Sequence, residues 1–145
     1  MRLVLQRVSE AWVIVNEKKT SHIQQGWLIL LGIGAGDQEE QIKPLCQKIA
    51  KLRAFSDESG KMNLSIQDIK AEILLVSQFT LYGDFKKGNR PSFTSAASPD
   101  LARNLYEKFI FELNELKIKT ATGVFAADMK VGMIGDGPVT FYWDI

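Results

Sequence analysis

The sequence predicts an α/β fold: a single layered domain with a mixed β-sheet and two main helices. Three observations support this class. Several apolar runs alternate or continue as strands do, and two other segments repeat apolar residues every three or four positions, as helices do. In addition, a chain of 145 residues has room for one hydrophobic core, so we expect one domain over residues 1–145.

The first predicted strand covers 2–16, and the polar stretch 16–21 is expected to form a hairpin turn. Leu3, Leu5 and Arg7 share one face because side chains alternate along a strand. If that face is buried, the Arg7 guanidinium must be paired or bonded to carbonyl oxygens. An arginine at the strand end that reaches solvent is an equally good interpretation.

Residues 27–33 form a continuous apolar run, which predicts a strand covered on both faces. Asp37 is then expected to cap a helix. The apolar stripe of this helix is Ile42, Leu45, Ile49 and Leu52. Pro44 lies inside the pattern, and an interior proline costs about 3 kcal/mol, so we expect a late start or a kink near it.

The run 72–81 predicts a second buried strand, and Ser98-Pro99-Asp100 predicts the start of a second helix. The apolar stripe of that helix is Leu101, Leu105, Phe109, Leu113 and Leu116. The final third, 119–145, is expected to form short strands with a turn at 135–137.

Composition limits the possible functions. The net charge is +1, from 18 Lys and Arg against 17 Asp and Glu, so a nucleic-acid partner would need a local cationic patch. Cys46 and His22 are the only residues of their types, which excludes an internal disulfide and multi-residue zinc motifs and argues against a Ser–His–Asp triad. We expect Cys46 in the core, His22 on the surface and no metal site.

The chain lacks an apolar run of about 18 residues, so no membrane span is predicted. A secretory signal is also missing, and we therefore expect a cytoplasmic protein. Gly32-Ile33-Gly34-Ala35-Gly36 suggests a dinucleotide-binding turn, but Asp37 stands where the third glycine belongs and would repel a pyrophosphate. A plain strand-to-helix turn is favoured, and a cofactor-using enzyme is the weakest hypothesis.

Polar side chains appear abruptly where the buried strand 72–81 ends, in the segment Ser77-Gln78-Phe79-Thr80. In open α/β sheets ligands bind at this end of the strands. Bonding of Ser and Thr to strand-end backbone explains the pattern equally well. Lys86, Lys87 and Arg90 lie in the loop that follows, where they are suited either to binding phosphates or to a solvated basic turn.

Segments in register along the whole chain resemble the D-aminoacyl-tRNA deacylase family. They are QRV at 6–8, SQFTL at 77–81, RPSF at 90–93, ASPD at 97–100, FAADM at 125–129 and GPVTF at 137–141. The resemblance implies hydrolysis of the ester between a D-amino acid and the 3′ end of tRNA, and removal of glycine mischarged on tRNA(Ala). It also implies a layered α/β domain that works as a homodimer without a metal or organic cofactor.

The resemblance further implies how D- and L-amino acids are distinguished. Gly137 and Pro138 match a Gly-cis-Pro dipeptide that enters the partner subunit's pocket and leaves no room for an L side chain. Arg7 matches the arginine that holds the carbonyls of this dipeptide. Phe125 and Met129 match positions that contact the terminal adenosine, where aromatic stacking suits a base.

Ser77, Gln78, Phe79 and Thr80 match the catalytic segment around the ester, and Lys86, Lys87 and Arg90 are expected to bind tRNA phosphates. The Thr80 hydroxyl has the position of a possible nucleophile, but the sequence offers no base to activate it. We therefore expect the ribose 2′-hydroxyl to assist hydrolysis instead. The missing base also leaves open a different function, a non-catalytic module that binds RNA ends.

Overall fold

A six-stranded sheet dominates the computed structural model, which describes all residues from 1 to 145. The strands are β1 (Arg2–Val15), β2 (Lys18–Ile23), β3 (Gly26–Gly32), β4 (Phe55–Ser56), β5 (Met62–Leu64), β6 (Glu72–Ser77), β7 (Thr120–Thr122) and β8 (Lys130–Asp144). The helices are α1 (Ile42–Lys51) and α2 (Pro99–Glu115), with 3-10 helices at Glu39–Gln41 and Phe79–Tyr82. The predicted α/β class with two main helices is confirmed. Neither helix is long and apolar enough to cross a membrane.

Strand β1 joins the two halves of the sheet. One of its edges pairs first with β3 and then with β2, and its other edge pairs with β8, in each case antiparallel. The order β2-β1-β3-β6-β7 then curls so that Ser21 of β2 donates a hydrogen bond to the Thr122 carbonyl of β7. The sheet is therefore nearly closed, and β8 is left as an outer strand.

Parallel pairing of β3 with β6 and of β6 with β7 places α1 and α2 in the crossover connections. Both helices pack on one face of the sheet, where Leu5, Ile29 and Leu75 meet Ile49 and Phe109 in the main core. A smaller cluster fills the other face and includes Val8, Val13, Ile23, Leu28, Leu74 and Val76. Strand β3 is consequently buried on both faces, as its continuous apolar run predicts.

The helix predictions hold at most points. Helix α1 begins late, at Ile42, so that Pro44 lies in the first turn. A backbone N–H at that position would have no acceptor within the helix, and the proline therefore breaks no helical hydrogen bond. Helix α2 begins at Pro99, and the Ser98 hydroxyl accepts the Leu101 N–H at 3.4 Å.

Cys46 is fully buried, as predicted, and burial raises the pKa of its thiol to about 12. His22 is exposed and contacts Glu10 at 2.8 Å.

Several local predictions are wrong. The hairpin turn is only Asn16-Glu17, both with positive φ (48° and 61°), so β2 already starts at Lys18. The second buried strand stops at Ser77 instead of continuing to 81. No turn occurs at 135–137, because β8 runs through these residues and the register against β1 shifts there.

Asp37 is not a helix cap. Its carboxylate is buried and accepts hydrogen bonds from the Met1 ammonium (2.7 Å), the Gly34 N–H (2.7 Å) and the Tyr82 hydroxyl (3.4 Å). Burial is the main cause that raises the pKa of Tyr82 to about 12, so this hydroxyl stays a neutral donor. The start of β1, the loop after β3 and the second 3-10 helix are thus tied to one carboxylate.

Replacing Asp37 by asparagine removes the charge that compensates a buried ammonium. We expect Asp37→Asn to lower the free energy of unfolding by about 3 kcal/mol, because an uncompensated buried charge is costly. Urea denaturation monitored by circular dichroism measures this change. Asp128→Asn, at an exposed carboxylate, is the matched control. Equal losses in the two variants would contradict a structural role for the ion pair.

Candidate active site

A mostly apolar cavity of about 620 Å³ opens beside the carboxyl ends of β3 and β6. Its walls come from these two strand ends, from residues 93–102 around the start of α2, and from the loop 125–129 before β8. The predicted site residues Ser77, Gln78, Phe79, Phe125 and Met129 all line it. This volume is typical of pockets that hold a small organic ligand.

The segment Ser77–Tyr82 forms the polar end of the cavity. The Gln78 N–H makes the last bond to β3, to the Leu31 carbonyl at 2.8 Å, and the chain then turns into the 3-10 helix Phe79–Tyr82. The first N–H groups of a helix have no acceptor within that helix. The backbone N–H groups of Phe79, which lines the cavity, and of Thr80 therefore remain available as donors to a ligand.

Thr80 lies exposed at this edge and does not line the cavity itself. Its hydroxyl oxygen accepts a hydrogen bond from the Gln78 side-chain amide, which cannot take up a proton. The one histidine, His22, is occupied with Glu10 on strands β1 and β2. No side chain is thus placed to activate Thr80 as a nucleophile.

Phe125 and Met129 form a second part of the wall. The Arg103 guanidinium lies 4.6 Å from the centre of the Phe125 ring, and Tyr106 packs against the same ring at 5.7 Å. The Tyr106 hydroxyl donates to the Leu75 carbonyl at 2.8 Å, and burial raises the pKa of this phenol. A buried, neutral tyrosine therefore fixes the position of Phe125 against the sheet.

The cationic loop that carries Lys86, Lys87 and Arg90 lies directly before Phe93, which lines the cavity, but none of the three cations lines it. Asp84 and Ser92 close the loop by two backbone hydrogen bonds of 2.8 and 2.7 Å. Directly after it, the Phe93 ring packs edge-on against Phe79 with the ring centres 5.0 Å apart. All three cations are exposed and pair with no carboxylate, so the loop presents free positive charge near the cavity.

Gly137 and Pro138 are joined by a cis peptide bond and lie exposed on β8. Neither lines the cavity of the same chain. A side chain on Gly137 has no room, because an added Cβ would be 2.8 Å from Val139 Cγ2 and 3.1 Å from an Arg7 nitrogen, at φ +129°.

Arg7 is buried and bonded to carbonyls, so the solvent-reaching alternative is wrong. Its guanidinium donates to the Ala54 carbonyl at 2.7 Å and to the Asp136 carbonyl at 3.1 Å, and it also contacts the Asp136 carboxylate at 3.1 Å. The resemblance implies bonds to the Gly137 and Pro138 carbonyls. Within this chain, Arg7 instead holds the residue immediately before the dipeptide.

Sequence patterns did not single out Arg103 or Asp128, although both lie at or next to the cavity. Arg103 lies on α2 and Phe125 follows β7, so only the packing of α2 brings the two together. Asp128 lies within the FAADM segment but carried no pattern of its own. The Gly32–Gly36 turn has a structural role, since Gly34 donates to Asp37 and bridges to Ala96.

Comparisons with known proteins agree on one family. The family model described as D-Tyr-tRNA(Tyr) deacylase matches residues 4–144. The chain is 54% identical over 144 residues to the D-aminoacyl-tRNA deacylase of Thermotoga petrophila, and the aligned region covers 99% of this chain and 97% of that protein. It is 51% identical, with the same coverage, to the D-aminoacyl-tRNA deacylase of Thermosipho africanus.

Two solved structures are also similar. The structure named "c-Myc DNA Unwinding Element Binding Protein" has a TM-score of 0.93 and is 38% identical, covering 100% of this chain and 99% of that chain. A "probable eukaryotic D-amino acid tRNA deacylase" has a TM-score of 0.88 at 17% identity, covering 99% of this chain and 98% of that one. The second likeness shows the shared fold alone.

Proposed function

The chain belongs to the D-Tyr-tRNA(Tyr) deacylase family, and we propose that it hydrolyses the ester between a D-amino acid and the 3′ end of tRNA. The products are the free D-amino acid and uncharged tRNA, so the reaction is a proofreading step, which we place in the cytoplasm. The observation that carries this proposal is the convergence of the predicted ester-side and adenosine-side residues on one cavity.

We assign the two ends of the substrate to the two parts of the wall. Phe125 and Met129 supply apolar surface for the terminal adenosine, since aromatic side chains suit an unpaired base. Ser77, Gln78 and Phe79 surround the ester. Lys86, Lys87 and Arg90 then lie where they can bind phosphates of the 3′ strand and acceptor stem.

Hydrolysis proceeds without an acyl-enzyme. Water adds to the ester carbonyl, the bond from that carbon to the ribose 3′-oxygen breaks, and the 3′-oxygen takes up a proton. The substrate's 2′-hydroxyl can relay this proton because it lies beside the ester. The backbone N–H groups of Phe79 and Thr80 stabilise the charge that develops on the carbonyl oxygen. This route needs no protein base, which agrees with the surroundings of Thr80.

Discrimination between enantiomers rests on exclusion. In our proposal, Gly137 and Pro138 of one subunit enter the cavity of its partner and occupy the space that an L side chain would need. Such a gate admits glycine, because glycine has no side chain to exclude. We therefore also assign to the protein the removal of glycine from tRNA(Ala).

This gate requires a homodimer, and β8 offers a surface for one. It is an outer strand with one unpaired edge, and Val131, Met133, Ile134 and Tyr142 on it are exposed apolar residues. Long exposed edge strands with apolar side chains pair readily with other chains. Since Gly137 and Pro138 lie on the same strand, pairing through β8 brings the dipeptide to the interface.

The central test compares the release of the amino acid from D-tyrosyl-tRNA, L-tyrosyl-tRNA and glycyl-tRNA(Ala). We expect the wild-type protein to hydrolyse the first and third and to reject the second. Gly137→Ala should also hydrolyse L-tyrosyl-tRNA, because the added methyl group displaces Val139 or Arg7 and disturbs the gate. Gly135→Ala is the matched control, since a Cβ there meets nothing within 4 Å.

Three outcomes would contradict these assignments. Full D activity with rejection of L-tyrosyl-tRNA by Gly137→Ala would remove Gly137 from the gate. Release of both enantiomers by the wild-type protein would keep the hydrolase and discard the gate. Tight binding of D-tyrosyl-tRNA without release would instead identify a module that binds RNA ends.

Thr80 should influence the position of the substrate and not the chemical route. We expect Thr80→Ala to keep kcat within about tenfold of the wild type, since one hydrogen bond is lost. Loss of a true nucleophile costs about a millionfold in kcat. Single-turnover deacylation kinetics measure the difference, with Thr94→Ala as the control at an exposed threonine. A covalent acyl adduct on Thr80, trapped by rapid acid quench, would overturn this view.

A charged side chain introduced on β8 tests the proposed dimer surface. Ile134→Glu should yield a monomer that also hydrolyses L-tyrosyl-tRNA, because a glutamate buried against the partner's β8 would prevent pairing and so remove the partner's gate from the cavity. Light scattering after size-exclusion chromatography measures the mass. Phe111→Glu is the control, since Phe111 on α2 is 52% exposed and Ile134 is 51% exposed. A dimeric Ile134→Glu protein would exclude β8 as the interface, and a monomeric wild type would exclude the shared gate.

A further inference from the structure

We propose that Arg103 binds the phosphate on the 5′ side of the 3′-terminal nucleotide of the substrate. This inference rests on the proposed function, because it names a further contact of the same cavity. It concerns a residue that neither the sequence patterns nor the resemblance to the family indicated.

The position of Arg103 places a positive charge at the rim of the cavity. Arg103 follows Ala102, which lines the cavity, in the second turn of α2. Its guanidinium lies 4.6 Å from the centre of the Phe125 ring, and Phe125 lines the cavity as well. A nucleoside in contact with Phe125 therefore has the guanidinium as a neighbour.

The donors of Arg103 are free. Arg2, Arg7 and Arg53 bind carbonyl or carboxylate oxygens of the protein, but Arg103 makes no hydrogen bond or ion pair within the chain. Asp100 and Glu107, three residues before and four after it on the helix, are within ordinary reach and yet unpaired with it. The guanidinium thus keeps its full charge and its N–H groups for a ligand.

Contact with Phe125 holds the side chain in place without neutralising it. A cation–π contact uses the face of the guanidinium and leaves the N–H groups in its plane unoccupied. These N–H groups form a planar fork that matches two oxygens of a phosphate. Because the side chain is already ordered by the ring, less conformational entropy is lost when the phosphate binds.

The chemistry of the substrate identifies the anion. In an aminoacyl ester the carboxyl group of the amino acid carries no charge, and its amino group is cationic. The terminal nucleoside itself is neutral. The nearest negative charge to an adenosine held at Phe125 is therefore the phosphate that links it to the preceding nucleotide.

Two small substrates that differ only in this phosphate provide the test. They are 3′-O-D-tyrosyl-adenosine and its 5′-monophosphate. With the monophosphate, we expect Arg103→Gln to raise KM about tenfold at unchanged kcat, because a charge-assisted contact is lost. With the unphosphorylated substrate, KM should equal that of the wild type. Lys43→Gln, which removes an exposed charge on α1 without an ion pair, should change neither.

Salt dependence supplies a second readout on D-tyrosyl-tRNA itself. The slope of log(kcat/KM) against log[salt] is negative, and loss of one phosphate contact on a single strand decreases its magnitude by about 0.7. Arg103→Gln should show this decrease, and Arg103→Lys, which keeps the charge and loses the fork, should keep the slope while KM rises.

Other results would overturn the inference. An equal rise in KM on both small substrates, with an unchanged salt slope, would mean that Arg103 only supports Phe125. Wild-type behaviour of Arg103→Gln in every assay would exclude any contact with the substrate. If the wild-type protein fails to hydrolyse D-tyrosyl-tRNA, the proposed function itself is refuted. The proposed contact of Arg103, which rests on that function, is then refuted as well.

Discussion

The parallel pairing of β3 with β6 is the constraint on which the site depends. It makes the connection that holds α1 a crossover, as the β6–β7 pairing does for α2, and it brings the carboxyl ends of β3 and β6 to the same edge. At that edge, pairing ends with the bond from the Gln78 N–H to the Leu31 carbonyl. The backbone then leaves the sheet into a short 3-10 helix, whose first N–H groups have no acceptor within the helix. The donors that we propose for catalysis are thus a consequence of where a strand stops.

A buried arginine sets the position of the proposed gate. Removing a guanidinium from water is costly unless its donors find partners, and Arg7 finds them in the Ala54 and Asp136 carbonyls and the Asp136 carboxylate. Asp136 lies where β8 shifts register against β1, so the cation holds the irregular part of the strand against the core. The dipeptide Gly137-Pro138 follows directly. The buried position of an arginine on an otherwise apolar face is therefore explained by its contacts, which hold the segment that leads into Gly137-Pro138 against the core.

The fold follows from local patterns where the deciding interaction is local, and departs from them where it is distant. Ser98-Pro99-Asp100 starts α2 as predicted, because the cap, the proline and the helix dipole act within one turn. Gly135-Asp136-Gly137 has the composition of a turn, but pairing along most of β1 keeps it inside a strand, and the same glycines then form a register shift. Asp37 has the pattern of a helix cap, yet its carboxylate accepts a hydrogen bond from the Met1 ammonium, next to the start of β1. The site shows the same division. Ser77 to Thr80 follow from a strand end, whereas the contact of Arg103 with Phe125 depends on how α2 packs.

The chemistry that the cavity lacks explains how its selectivity must arise. Its walls are mostly apolar and no side chain is placed as a base at Thr80, so in the proposed mechanism the protein contributes mainly orientation and backbone dipoles. The ester carbonyl and the 2′-hydroxyl are the same in both enantiomers of the substrate, and such dipoles act on both alike. Discrimination must therefore come from the space around the Cα atom, which favours a rigid steric gate over a specific attractive contact. In the proposed mechanism the cations near the cavity, in contrast, act on groups common to every tRNA. There they raise affinity for all charged tRNAs equally, and the proposed gate alone decides which of them reaches the backbone N–H groups.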